Sequence, residues 1–240
     1  MIFVGTHHKT GSVLFHGVFG AVSKRLGLRF YSGWQRTLPP ATDVWFMEHS
    51  RIDPERFNHA KGIHAIRHPL DVICSAYRWH LVCDEPWCIS TEHAIANGIR
   101  YNFDGLTYQE KLKSLSPREG ILFELKGRSY HAITDMYKWN YDDKRFLNVR
   151  LEDVSANFDR TFSRIFSFLG LDVEQCVPVA ALQDVRRFTR QRVQQTAHIT
   201  NKNGDLSWQR YFLDDAMLDE FQRTFPADVM ARLGYDFTPN

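Results

Sequence analysis

Short apolar runs alternate with longer stretches in which apolar residues return every three or four positions. The run MIFVG at 1–5 reads as a buried strand. After the polar turn THHKTG, Leu14, Val18, Val22 and Leu26 recur every four residues beside Phe15 and Phe19, and Gly27 stands where a helix ends. Further runs rich in β-branched and aromatic residues, LRFY at 28–31, VWFME at 44–48, GIHAIR at 62–67 and FLNVRL at 146–151, predict strands. Between them, Pro69 opens a helical segment with Asp71 at its positive end. SPRE at 116–119 forms a capping box ahead of a long helix running through Ile121, Leu125, Ile133 and Tyr137. Phe158, Phe162, Ile165, Phe166 and Leu169 trace another amphipathic helix, closed by Gly170.

Strands alternating with helices predict an α/β fold, a single three-layer α/β/α domain over 1–240 with a mainly parallel central sheet. In such sheets ligands bind beyond the carboxyl ends of the strands. Residues 83–115 lack a clear period and read as an excursion over the site.

Composition narrows the classes of function. With 43% hydrophobic residues in 240, the chain can bury a sizeable core, which excludes intrinsic disorder as its main state. Thirty basic against 28 acidic side chains give a net charge of +2, so neither nucleic acid nor a membrane surface is indicated and any anion site is local. No run approaches the roughly 20 apolar residues of a membrane span, and the apolar start at Met1 does not read as a targeting peptide. Four scattered cysteines, Cys74, Cys83, Cys88 and Cys176, do not make a disulfide framework. A cytoplasmic protein with reduced thiols is expected.

Four segments carry candidate chemistry. GTHHKTGS at 5–12 is a strand-to-helix loop in which Lys9 precedes Gly11. Backbone N–H groups from Thr10 to Val13 can point at an anion there, the helix dipole adds about half a positive charge, and Lys9 supplies a full one. This is not a regular Walker A order, in which the Lys follows the second Gly. An ordinary turn with a solvated Lys is the bland alternative. In IRHPLDVICSAYRWH at 66–80, Arg67 ends a strand and Ser75 lies eight residues on, about two helical turns. Arg offers a rigid charged fork for phosphate and Ser a neutral donor. In VRLEDVSANFDRTFSRIFSFLGL at 149–171, Glu152 and Asp153 read as turn and helix-start chemistry. ITNKNGDLSWQRYF at 199–212 is a polar, Gly-containing loop followed by Trp208.

In this order the four segments resemble the sulfotransferase family that uses 3'-phosphoadenosine 5'-phosphosulfate (PAPS) as donor, a family whose fold is P-loop NTPase-like. The resemblance implies that Lys9, Thr10, Gly11 and Ser12 hold the 5'-phosphosulfate, and the amide of Val13 joins them as a cofactor-binding candidate. It assigns the 3'-phosphate to Arg67 and Ser75, covered by Lys202, Asn203 and Gly204. It also places an acceptor-activating base in FMEHSR at 46–51, His49 with Glu48 in reserve. His8 stands where the family has Pro, Val13 and Leu14 replace a hydroxyl residue and an aromatic one, and Leu151 replaces a Tyr. The implied function is transfer of a sulfuryl group to a hydroxyl or amine of a small-molecule or carbohydrate acceptor, with release of 3'-phosphoadenosine 5'-phosphate (PAP) and no metal requirement.

Two rivals stand beside it, an ATP-dependent small-molecule kinase and a PAP-binding protein without catalysis. His80, Cys83, Cys88 and His93 have tetrahedral-zinc ligand types but match no common zinc module. Arg186, Arg187, Arg190 and Arg192 form a basic cluster that either meets an anionic ligand or is a solvated face.

Overall fold

The structure is a computed structural model and describes residues 1–96, 99–101, 103–184, 187, 208, 211 and 214–237. Its strands are β1 (Ile2–Thr6), β2 (Phe30–Ser32), β3 (Val44–Glu48), β4 (Lys61–Ile66), β5 (Ile95–Ala96), β6 (Ile99–Arg100) and β7 (Phe146–Arg150). Its helices are α1 (Ser12–Leu26), α2 (Pro69–His80), α3 (Pro86–Ile89), α4 (Tyr108–Lys113), α5 (Pro117–Lys126), α6 (Arg128–Lys138), α7 (Leu151–Ala156), α8 (Phe158–Leu169), α9 (Val173–Ala181), α10 (Asp215–Thr224) and α11 (Val229–Leu233). They fall into two compact units, Met1–His68 with Thr134–Val193, and Pro69–Ile133 with Gln194–Asn240.

In the first unit five parallel strands form one sheet in the order β2-β3-β1-β4-β7. The alternation of strand side chains divides its core in two. Val4, Val44, Phe46, Ile63, Ala65 and Val149 face helices α1, α8 and α9, meeting Phe15, Phe19, Phe162 and Phe166. Phe3, Trp45, Met47 and Phe146 face the other way, toward Phe57 and Trp139. Each Val, Ile, Phe or Met among them contributes on the order of 1.5–3 kcal/mol by leaving water. Gly62 is required by proximity, since a Cβ there would lie 1.9 Å from the Phe3 carbonyl oxygen on the neighbouring strand.

This is the α/β class with a mainly parallel sheet that the sequence predicts. Several boundaries differ. β4 covers Lys61–Ile66 rather than 62–67, so Arg67 follows the strand instead of ending it, and β7 stops at Arg150, with Leu151 opening α7. The second strand covers Phe30–Ser32 rather than 28–31, because Gly27 turns left-handed at the end of α1 and Leu28 N–H returns to the Ser23 carbonyl. The long helix after Ser116 is two helices, interrupted at Gly127, where a Cβ would lie 2.6 Å from Tyr108 Oη. The capping box itself forms, with Ser116 and Glu119 exchanging hydrogen bonds.

In the second unit α2 is nearly all buried and Asp71 in its first turn accepts the Trp208 backbone N–H at 2.9 Å. Residues 83–115 supply α3, the antiparallel two-residue strands β5 and β6, and α4, and their Cys83, Trp87, Cys88, Tyr101 and Tyr108 make a small core with Trp79. No helix among the described residues is long and apolar enough to cross a membrane.

Candidate active site

Register puts the site together at one edge of the first unit's sheet. Thr6 is level with Glu48, and Ile66 with Arg150, so the loops after β1, β3 and β4 and the start of α7 emerge side by side. The chain order reverses at β1, which makes this edge the switch point where α/β sheets bind ligands.

The loop after β1 is a closed turn. Thr10 Oγ1 accepts the His7 N–H at 2.8 Å and donates to the His7 carbonyl at 3.0 Å, and Thr10 N–H reaches the same carbonyl at 3.1 Å. Thr10 N–H is therefore spent inside the turn and does not join the anion-facing amides, contrary to the sequence expectation. The first helical bond runs from Phe15 N–H to the Gly11 carbonyl, so the open first turn is that of Ser12, Val13 and Leu14. Gly11 caps α1 in the left-handed region (φ 95°) with no side-chain cap and no acidic residue in the first turn. That leaves the helix end suited to an external anion. A Cβ on Gly11 would also lie 2.9 Å from Leu151 Cδ1. Lys9 takes φ 65°, and its carbonyl accepts from Arg67 Nη1 at 3.2 Å, which brings Arg67 to the loop. His68 N–H donates to Glu152 at 2.9 Å, so Glu152 ties this corner, in keeping with its structural reading.

Glu48 and His49 diverge. Glu48 follows the α1 face, and Ser12 Oγ lies 3.4 Å from its Oε1 and 3.0 Å from Thr6 Oγ1. His49 is buried on the opposite face with φ 76°, followed by Ser50 at φ 48°, whose hydroxyl donates to the Thr6 carbonyl at 3.0 Å. Consecutive left-handed non-glycine residues cost of order 1–3 kcal/mol each and gather at functional sites. His49 Nδ1 lies 3.9 Å from Asp135 Oδ2, the oxygen that also takes Arg51 at 2.9 Å. A cavity of about 410 Å³ opens here, with His49, Arg51, Asp135, Lys138, Trp139 and Asp143 in its wall.

Beside His49 runs a chain of buried polar groups. His64 is level with Asn148 in the sheet; its Nδ1 meets Asn148 Oδ1 at 3.0 Å and its Nε2 meets His7 Nε2 at 2.8 Å, while its ring stacks on Trp139. Burial drives the His64 pKa down to about 3, and burial with the nearby His64, His49 and Arg51 holds His7 well below the usual imidazole range. Both rings are neutral at physiological pH. The sequence reading did not single out His7, His64, Asn148, Arg51 or Asp135. The one available signal was a histidine within the apolar strand GIHAIR, since a buried polar group needs a partner.

The other expectations are distributed elsewhere. Ser75 is buried on α2, in the second unit. Lys202, Asn203 and Gly204 lie outside the described residues, as do Arg186, Arg190 and Arg192, while Arg187 pairs with Asp159 at 2.5 Å and Asp184 at 3.3 Å. His80 pairs with the buried Glu124, Cys88 donates to the His80 carbonyl at 3.7 Å and His93 meets Ser90 at 3.3 Å. Among the described residues these four do not converge as a metal-ligand set; His7, His49 and Asp135 do.

A parallel α/β sheet with a basic loop feeding an open helix end is the arrangement of α/β proteins that bind an anionic group such as a phosphate. The sulfotransferase domain family matches residues 52–234, most of the chain, and the chain belongs to that family. The match begins after the first loop and after His49. No curated protein matches the chain by sequence. Solved structures share the fold, among them the following three. The crystal structure of mouse sulfotransferase SULT7A1 complexed with PAP is 14% identical, with TM-score 0.53 over 94% of this chain and 86% of that one. Retinol dehydratase in complex with androsterone and the inactive cofactor PAP is 12% identical, with TM-score 0.52 over 100% and 82%. The same enzyme with retinol and PAP is 12% identical, with TM-score 0.51 over 100% and 83%. The fold is thus the P-loop-like one of sulfotransferases, and the chain is a PAPS-dependent sulfotransferase by family.

Proposed function

We propose that this chain moves a sulfuryl group from PAPS to a hydroxyl or amine of a small polar acceptor, releasing PAP. The observation that carries the reading is the family match together with one sheet edge where the open end of α1, following Lys9, lies against Glu48, with His49 next in the chain on the other face. Lys9, Thr10, Gly11, Ser12 and Val13 receive the phosphosulfate, with Thr10 acting as the brace of the turn rather than as an amide donor. Arg67, already on the Lys9 carbonyl, is assigned the 3'-phosphate. For Ser75, Lys202, Asn203 and Gly204 the same assignment rests on the sequence motifs alone.

The acceptor oxygen or nitrogen attacks sulfur in line, forming a bond to sulfur as the bond to the phosphate oxygen of PAP breaks. Its proton passes to His49, with Glu48 as the reserve base, and Lys9 with the amides of the first turn of α1 meets the charge growing on the leaving oxygen. The cavity against His49 has the size of a small-molecule site, and its mixture of Trp139 with Arg51, Lys138, Asp135 and Asp143 suits a polar, ring-bearing acceptor such as a sugar. Residues 83–115 are our sequence-based candidate for acceptor selection. A cytoplasmic setting fits four buried, free cysteines.

PAP release from PAPS, followed across an acceptor panel of sugars, phenols and amines, tests the proposal. Acceptor-stimulated release is expected. PAP binding with no release for any acceptor would instead make this a PAP-binding protein without catalysis, and phosphoryl transfer from magnesium ATP would make it a kinase.

A further inference from the structure

We propose that His7, His49 and Asp135 form a binding site for a divalent transition-metal ion of the zinc type, and that filling it stops catalysis. The second half rests on His49 as the base; the first does not.

All three residues belong to the first unit, and one ligand atom from each lies within 4.8 Å of the others. A tetrahedral ion at about 2.0–2.2 Å from its ligands draws them to roughly 3.3 Å apart, a closure within reach of ring rotation. His7 is fully buried, and its Nδ1 has no hydrogen-bond partner. The hydrogen-bond chain fixes what that atom is. Asn148 Oδ1 can only accept, so His64 Nδ1 carries the hydrogen and its Nε2 is an acceptor. His7 Nε2–H then donates to His64, and His7 Nδ1 is left as a lone pair. A metal-ligating histidine is oriented by donating its far N–H, and His7 donates its own to an imidazole in place of the more usual carboxylate, carbonyl or water. Two imidazoles and one carboxylate, with room for a further ligand, suit Zn²⁺ or Co²⁺ better than the oxygen-seeking Mg²⁺ or Ca²⁺.

The consequence for His49 follows from the electron count of a neutral imidazole, which has one lone pair and one N–H. If an ion takes the lone pair, the other nitrogen keeps the hydrogen, and neither can accept the acceptor's proton. Arg51 opposes the ion, because its guanidinium holds the same Asp135 oxygen at 2.9 Å. Removing that charge therefore favours metal.

The test titrates the full-length, metal-free protein with Co²⁺, reading visible ligand-field absorption, then displaces it with Zn²⁺ and measures sulfuryl transfer. One Co²⁺ per chain is expected, with an intense four- or five-coordinate band and no sulfur-to-cobalt charge transfer. Asp135→Asn should weaken binding about tenfold or more, as loss of a ligand or its support does, and Arg51→Gln should tighten it. His7→Gln should remove the band; should that variant fail to fold, the two partly exposed positions decide. Zn²⁺ should abolish transfer and a chelator restore it. No band, a band with sulfur charge transfer, or binding indifferent to Asp135→Asn overturns the site. Binding through these residues with transfer unaffected overturns the inhibition and the base assignment while leaving the site in place.

Discussion

Lys9, His49 and Ser50 are three non-glycine residues held in left-handed backbone around one sheet edge. Such conformations persist only where the surroundings impose them, here through the Thr10 turn, the Arg67 contact and the Ser50 bond to Thr6. Lys9→Ala leaves this frame standing, so it should lower kcat by roughly 100- to 1,000-fold with a native circular dichroism spectrum. Full retained activity removes Lys9 from its role. Glu48 and His49 are separated by a second experiment. Because strand alternation sends Glu48 to Ser12 and His49 to the cavity, His49→Gln should cost roughly 100-fold or more in kcat with donor KM little changed. Glu48→Gln should act mainly on donor KM, and the reverse pattern would make Glu48 the base. Sequence spacing brought both residues to the end of one strand, and alternation separates their faces, yet nothing local says which of the two faces carries the cavity. Asp135 and Asn148 escaped notice for a related reason: their partners are 84 or more residues away in the chain.

The strand-loop-helix unit β1-α1 was legible because the apolar period changes abruptly on either side of a polar, glycine-bearing turn. Local rules of the same kind gave Gly27, Gly170 and the Ser116 capping box. They failed at Gly127, whose backbone leaves the helical region beside Tyr108, a residue of another helix that accepts the Arg128 N–H at 3.3 Å. They also missed the second capping box, Thr107 with Glu110, inside a segment without a clear period. The close approach of β1 and β4 is likewise a tertiary fact. Gly62→Ala forces a methyl onto the Phe3 carbonyl and should destabilise by about 2 kcal/mol or more, a fall in Tm of roughly 4 to 8 °C. An unchanged Tm would show that β1 and β4 part at little cost and that the register setting the site edge is not rigid.

For the whole molecule, the two buried neutral histidines tie stability to pH. His64 has its folded pKa lowered to about 3 and His7 is lowered well below 6.5, so between those values and 6.5 the unfolded chain binds more protons than the folded one. Stability is then full above about pH 6.5 and falls as pH drops, by up to about 1.4 kcal/mol per pH unit for each ring. Urea unfolding at pH 7 and pH 5 should show this fall, and His64→Gln, which removes one of the rings, should reduce it; equal stability at both pH values would contradict the buried neutral pair.

The central claim is that the site edge is built for a nucleotide carrying a 3'-phosphate. Thermal unfolding of nucleotide-free protein with PAP, ADP and ATP, each with and without magnesium, tests it most directly. A ligand at a hundred times its Kd adds about 2.7 kcal/mol, or roughly 5 to 10 °C for a chain of this size. PAP should produce that shift without magnesium, and ADP and ATP much less. A shift with magnesium ATP and none with PAP would contradict the account and leave Arg67 without its assigned phosphate.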